Sequence, residues 1–277
     1  MCGLSFGQYN PTIRTGRPGQ TIGSFTVGKG VLQFHQGVDY GWANRETELF
    51  PPSGMAVQSE VEKEAILSQN IIRFGVMERL EISAAINYVW ETKHYHYAPN
   101  PDPALTDFNQ KNNEFKNVDF GFRYNILDGN NNQHIAWAIQ ARTGLYQWIF
   151  VDGINYPDVK FVTSLGRRVG ENSRLRINAG ANIWTQSRDG IVYGINYNFN
   201  PVSKLGFTLE YTGRAEFSSI RGSSQEHGGL LGIYYLIHDD ILIDIRTGIT
   251  NHMYWEQFPF SSYIGAGISW RVRTTKR

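Results

Sequence analysis

The sequence predicts an all-β fold: a twelve-stranded antiparallel up-and-down transmembrane β-barrel of the outer-membrane type. Three observations predict it. Apolar and polar residues alternate with period two through almost the whole chain, whereas helical periodicity is scarce. The alternating segments are about 10–15 residues long, beyond the usual five or six of soluble sheets and enough for the roughly 9–11 that a tilted strand needs to cross a bilayer. Their connections alternate between short and long, as in a barrel with turns on one rim and loops on the other.

Composition narrows the alternatives. The chain has 277 residues, 41% apolar and 18% charged, with a formal net charge of +1. A nucleic-acid binder would need a basic excess or stripe, so no nucleic-acid partner is expected. No run approaches the roughly 18–20 apolar residues of a spanning helix, and mean hydropathy is −0.37, which excludes a helical membrane protein. Aromatics at 14% and 29 glycines fit either a soluble β-sandwich or a barrel in lipid.

Residues 1–7 read as the remnant of a secretory signal, with Ser5-Phe6-Gly7 as a small-x-small cleavage site before Gln8. Cleavage there would remove Cys2, the only cysteine, leaving a chain without disulfide or thiol chemistry. Residues 8–24 carry Pro11 and Pro18 and show no strand pattern. They are expected to hang in the periplasm, to plug the lumen or to dock a partner. The barrel is expected over residues 25–277.

The first strand, from Val31 to Trp42, sets Leu32, Phe34, Val38, Tyr40 and Trp42 on one face and Gln33, His35, Gly37, Asp39 and Gly41 on the other. Eight more segments repeat the signature, beginning near Leu80, Val118, Ile135, Leu175, Ile191, Leu205, Ile241 and Ile264. Weaker ones near 59–75, 158–168 and 226–237 complete the twelve. Short turns are expected at Val76–Arg79, Leu127–Gln133, Gly170–Ser173, Asn200–Ser203 and His238–Asp240, which are rich in turn-forming residues. Long loops are expected at Ala43–Gln58, Thr92–Lys116, Gln147–Pro157, Gly213–Gln225 and Asn251–Pro259, with one short member of the same set at Thr185–Asp189. Short turns face the periplasm in such barrels, and an even strand number puts both termini there.

The polar face carries Arg73, Glu81, Asp119, Arg123, Arg142, Arg176, Glu210, Asp244, Arg246 and Arg271, which are expected to line the lumen. The apolar face is free of charge in the clearest strands, as hydrocarbon requires. Its large aromatics gather towards strand ends, where Tyr40, Trp42, Tyr88, Trp90, Tyr197, Tyr211 and Trp270 are expected to form interface belts. Acidic and basic residues in one lumen should pair, because isolated buried charges are costly. A hairpin centred near Asn130 would bring Asp119 within reach of Arg142, and the two are expected to form a lumen salt bridge.

Four motifs were weighed against catalysis or ligand binding. Gly23 to Lys29 approaches a phosphate-binding loop, but Gly30 and a strand follow where the motif needs Ser or Thr and a helix. Asp128-x-Asn130-x-Asn132 lacks the glycine and the glutamate of a calcium loop, with Gln133 and Ile139 in their places. His94 and His96, with Asp102 and Asp107 nearby, could share a metal but read better as an aromatic surface loop. Ser223, Ser224, Glu226 and His227 lie together without an assignable orienting group for a hydrolase. No catalytic residue, metal or cofactor is expected.

Arg17-Pro18-Gly19-Gln20-Thr21 and then Phe25-Thr26-Val27-Gly28-Lys29-Gly30-Val31-Leu32-Gln33-Phe34 resemble the opening of the meta-pathway phenol-degradation family of outer-membrane β-barrel proteins. Ile72-Arg73-Phe74-Gly75, with Glu78-Arg79-Leu80-Glu81-Ile82, is similar to that family's second hairpin, and Gly265-x-Gly267-x-Ser269 to its final strand. Gly16 departs from the family's usual Asp, and His35-Gln36 stand where Glu is common. The resemblance implies an outer-membrane barrel with a transport role for hydrophobic or aromatic compounds. Gln8 after the cleavage site suits a Bacteroidetes-type Gram-negative bacterium.

The expected function is therefore a non-enzymatic channel or transporter that passes small molecules through a narrow polar lumen. Its expected partners are the outer-membrane bilayer and a small solute. A non-transporting accessory subunit of a larger outer-membrane assembly is the alternative, and a lipid-modifying enzyme the third.

Overall fold

Twelve strands close into one antiparallel barrel, each pairing with its neighbours in sequence and the last with the first. The structure, a computed structural model, describes residues 13, 22–49, 57–97, 108–128, 135–144, 159–183, 189–218, 222–253 and 260–274. In chain order the strands are β1 (Val31–Leu49), β2 (Val57–Met77), β3 (Leu80–Tyr97), β4 (Phe108–Asp128), β5 (Ile135–Gly144) and β6 (Val159–Arg168). They continue as β7 (Ser173–Ile183), β8 (Asp189–Val202), β9 (Leu205–Ser218), β10 (Gly222–His238), β11 (Ile241–Met253) and β12 (Phe260–Arg273). The expected fold class and strand number are both found.

Alternation determines which face meets which medium. The fully covered side chains include Ser269, Glu81 and Gln33, at 0, 1 and 2% exposure, whereas Ile245 and Ile249 stand 60% and 61% exposed. Charges inside and aliphatics outside invert the arrangement of a protein folded in water. Such a surface is stable only against hydrocarbon.

Phe34 and Trp270 face each other across the β1–β12 seam and stack at 5.1 Å near the turn rim. Tyr40 and Trp90 flank Ile66 in one row nearer the loop rim. From Phe34 to Tyr40 or Trp42 the strand advances about 20–26 Å at roughly 3.3 Å per residue, comparable with a band about 25 Å tall.

Strands β1 to β4 are longer than expected, at 18–21 residues. The expected loops Ala43–Gln58 and Thr92–Lys116 are largely ladder: β1 runs to Leu49, β2 starts at Val57, β3 reaches Tyr97 and β4 begins at Phe108. Cross-strand charges support the extension. Lys63 Nζ lies 2.6 Å from Glu91 and Lys93 Nζ lies 3.3 Å from the same carboxylate. Polarity in these extensions hid strands that continue past the apolar band.

The lipid-facing reading has a direct test. Ile245→Arg near mid-strand should cost about 2–4 kcal/mol in reversible unfolding from lipid vesicles, as for a cation at the bilayer midplane. An unchanged stability would mean that this face meets water.

Candidate functional site

The lumen is lined by strand positions of one parity, and charge fills it in layers. Among the expected lumen residues, Arg73, Glu81, Arg123, Arg176, Glu210, Asp244, Arg246 and Arg271 are buried, and Asp119 and Arg142 are half-buried. At the turn rim Arg73 grips Glu81 with two parallel bonds, Nε to Oε1 at 2.8 Å and Nη2 to Oε2 at 2.7 Å. Arg123 approaches the same carboxylate at 3.4 Å and donates to Gln140 Oε1 at 2.8 Å. A carboxylate held between two guanidiniums is strongly attracted to both, and the cluster keeps a cationic excess.

That excess meets the backbone of residues 22–27. Arg73 and Arg123 both donate to the Phe25 carbonyl, at 3.1 and 3.0 Å, and Val27 N–H donates to Glu81 Oε2 at 2.9 Å. The Ile22 carbonyl accepts from Ser164 Oγ at 2.9 Å and Asn178 Nδ2 at 3.2 Å. The Arg174 guanidinium lies 4.5 Å over the Phe25 ring. Ser24, Phe25, Thr26 and Val27 are all buried. The segment thus reaches β6 and β7 at Ile22, β2 and β4 at Phe25, and β3 at Val27.

Gly28 and Gly30 then turn the chain into β1 with φ of 91° and 68°, a region that favours glycine. Gly75 admits this turn, because a Cβ there would sit 1.7 Å from the Gly28 carbonyl oxygen. The Gly23–Lys29 motif is consequently an inward segment and turn leading into a strand, with no helix to hold a phosphate.

Deeper in, Arg246 Nε donates to Asp39 Oδ1 at 2.9 Å, and its Nη2 bonds Oδ2. Gln69 Nε2 donates to the same carboxylate at 2.7 Å. Asp39 and Arg246 are both register partners of Gly265, so the pair bridges three strands across a residue without a side chain. On β8 and β9 Asn196 donates to Thr208 Oγ1 and Glu210 Oε2, both at 2.9 Å. His35 engages Ser269 at 2.8 Å and Gln33 at 2.9 Å, and Arg271 pairs with Asp240 at the turn rim.

Asp119 and Arg142 share a face and lie close enough for their charges to attract across the hairpin. Asp119 lies opposite Gly144 and Arg142 opposite Gly121, which makes the two diagonal neighbours. The hairpin is therefore centred later than Asn130, with a bulge between Asn125 and Leu127 on the way.

The other motifs resolve into ordinary contacts. His94 lies on β3 and meets Asn109 at 2.7 Å, and His96 lies 3.8 Å from Glu62. Asp102, Asp107, Asn130, Asn132 and Gln133 lie outside the described residues, as does Cys2. Among the described residues no group of three or more His, Cys, Asp or Glu side chains could hold a metal. His227 Nδ1 faces the Tyr211 hydroxyl at 2.8 Å, whereas Ser224 Oγ donates to Glu216 at 3.5 Å.

Asp39, Gln69, Arg174 and the 22–27 segment take part in the lumen without having been singled out as lining residues. Parity alone places Asp39 inward with His35, and Arg174 inward with Arg176. The inward segment has no periodicity to reveal it.

No family model matches the chain, and no curated protein matches it. Among solved structures, an outer membrane channel from Pseudomonas putida F1 aligns over 90% of this chain and 98% of its own, with TM-score 0.56 and 8% identity. The NanC porin aligns over 85% of this chain and 100% of its own, with TM-score 0.50 and 11% identity. These likenesses show a shared outer-membrane β-barrel fold.

The Asp39–Arg246 pair supplies a test of the lumen's energetics. Asp39→Ala should cost up to about 3–5 kcal/mol by removing the carboxylate that grips the buried Arg246, and Asp39→Ala with Arg246→Met should recover much of that loss. Additive losses in a double-mutant unfolding cycle would show that the pair is not coupled.

Proposed function

We propose that the protein is a channel of the Gram-negative outer membrane that passes small solutes through its lumen. The observation that carries this reading is a barrel with the surface of a membrane protein outside and a charged, hydrogen-bonded lumen inside. The ten lumen residues, with Asp39 and Arg174, line the path, and their charges select among solutes. The tyrosines and tryptophans of the two rows anchor the barrel at the membrane interfaces. Both termini face the periplasm, since short turns such as Gly170–Ser173 lie on the same rim as the start of β1 and the end of β12.

Residues 8–24, with the inward stretch that follows them, act as a plug. The contacts of the Ile22 and Phe25 carbonyls with β2, β4, β6 and β7 support this role. The resemblance to the phenol-degradation family suggests hydrophobic or aromatic solutes, and Gln8 after the expected cleavage site suggests a Bacteroidetes-like source. The same inward segment favours a second reading, an accessory barrel whose lumen stays closed.

Single-channel recording in planar bilayers separates the two. The full chain should conduct weakly, and a chain lacking residues 8–24 should conduct several-fold more. Glu81→Gln, which weakens the clamp, should lie between them. Zero conductance in all three forms rejects the channel and leaves the accessory role.

A further inference from the structure

The Arg clusters of the lumen differ in one respect. Arg73 and Arg123 share Glu81, Arg246 holds Asp39, and Arg271 holds Asp240. Arg176 on β7 is 8% exposed, yet its Nε has no hydrogen-bond partner among the described residues. Arg174, two positions earlier on the same face, stacks on Phe25 and makes no salt bridge among the described residues. The nearby wall residue Glu210 is engaged by Asn196. A buried guanidinium with an unused donor is costly unless something supplies the acceptor.

Both arginines face a cavity of about 580 Å³ at the turn rim, bounded on one side by Phe25. That volume falls in the range of roughly 300–1,000 Å³ typical of small-molecule sites. The acidic residue lining it among those described, Glu171, sits on the exposed turn between β6 and β7. Another part of the lining is apolar: Ile13, Leu236 and Leu242 form a buried cluster with Tyr234 packed against it. Ile13 is fixed there by its N–H, which donates to the Asp239 carbonyl at 2.7 Å. The Tyr234 hydroxyl is directed at Asn200 Oδ1, 3.0 Å away, which leaves its ring to the cavity.

The geometry points to an organic-anion site: a carboxylate held by the guanidiniums of Arg176 and Arg174, with an apolar body resting on the Ile13–Leu236–Leu242 wall. A carboxylate matches the planar fork of a guanidinium, and the guanidiniums of Arg174 and Arg176 both line this cavity. The apolar part of the lining rewards an apolar body and gives nothing to a small hydrated anion. As a solute subsite it deepens the channel reading and rests on it, but binding itself needs no conduction.

Calorimetric titration of the detergent-solubilised full chain tests the site, with benzoate as the probe and benzyl alcohol and acetate as its neutral and bodiless counterparts. Benzoate should bind saturably and at least tenfold more tightly than either. Arg176→Gln should weaken it at least tenfold, and Arg176→Lys, which keeps the charge but loses the fork, should weaken it less. Arg176→Met should fold as well as the parent on an unheated gel, since no hydrogen bond to a described residue is lost, and should also fail to bind benzoate. Equal binding of benzoate and benzyl alcohol, or unchanged binding in Arg176→Gln, overturns the site even if the barrel conducts. Benzoate binding by a barrel that never conducts upholds the site and rejects the channel.

Discussion

Inside hydrocarbon every backbone N–H and C=O must find a partner within the protein, because no water is there to supply one. A sheet satisfies that demand only by closing. The seam between β1 and β12 completes the ladder from Val31 opposite Arg273 to Trp42 opposite Ser262. The Asp39–Arg246 pair spans that seam over Gly265, whose missing side chain leaves the space that the carboxylate occupies. Closure also divides one sheet into two environments, so strict alternation of residues becomes strict separation of apolar and charged surfaces.

The lumen is then a polar core. Its charges are covered by their neighbours, and they are stable because most of them are paired or hydrogen-bonded. Glu81 illustrates how far this goes: one carboxylate accepts from the two guanidinium donors of Arg73 and from the Val27 backbone, with Arg123 close by. The inward segment is held by the same donors that organise the wall. Access through the turn rim and the internal stability of the barrel therefore rest on a shared set of groups.

Legibility in the sequence varied with how local the governing interaction is. β1, β11 and β12 alternate cleanly, so their faces were readable residue by residue. β2 was weaker because its outward parity carries Glu60, Glu62 and Glu64 before Ile66, Ile72 and the apolar band. The same change of medium made Ala43–Gln58 and Thr92–Lys116 read as loops, although β1–β4 continue through much of them. The diagonal placement of Asp119 and Arg142 depends on where the hairpin turns and on a bulge, neither of which alters the period of alternation.

The sequence by itself determined the strand count, the antiparallel order and the inward or outward sense of the charged residues. Each follows from period two and from short connections, which are properties of neighbouring residues. Tertiary structure decided the partners: Arg246 with Asp39, 207 positions apart in the chain, Arg73 and Arg123 on one carboxylate, and the Phe25 carbonyl between them. Such contacts depend on the register and closure of all twelve strands, so no local pattern encodes them. For the same reason the sequence identified Arg176 as a lumen residue, and only the folded barrel showed that it lines a cavity and that its Nε has no hydrogen-bond acceptor among the described residues.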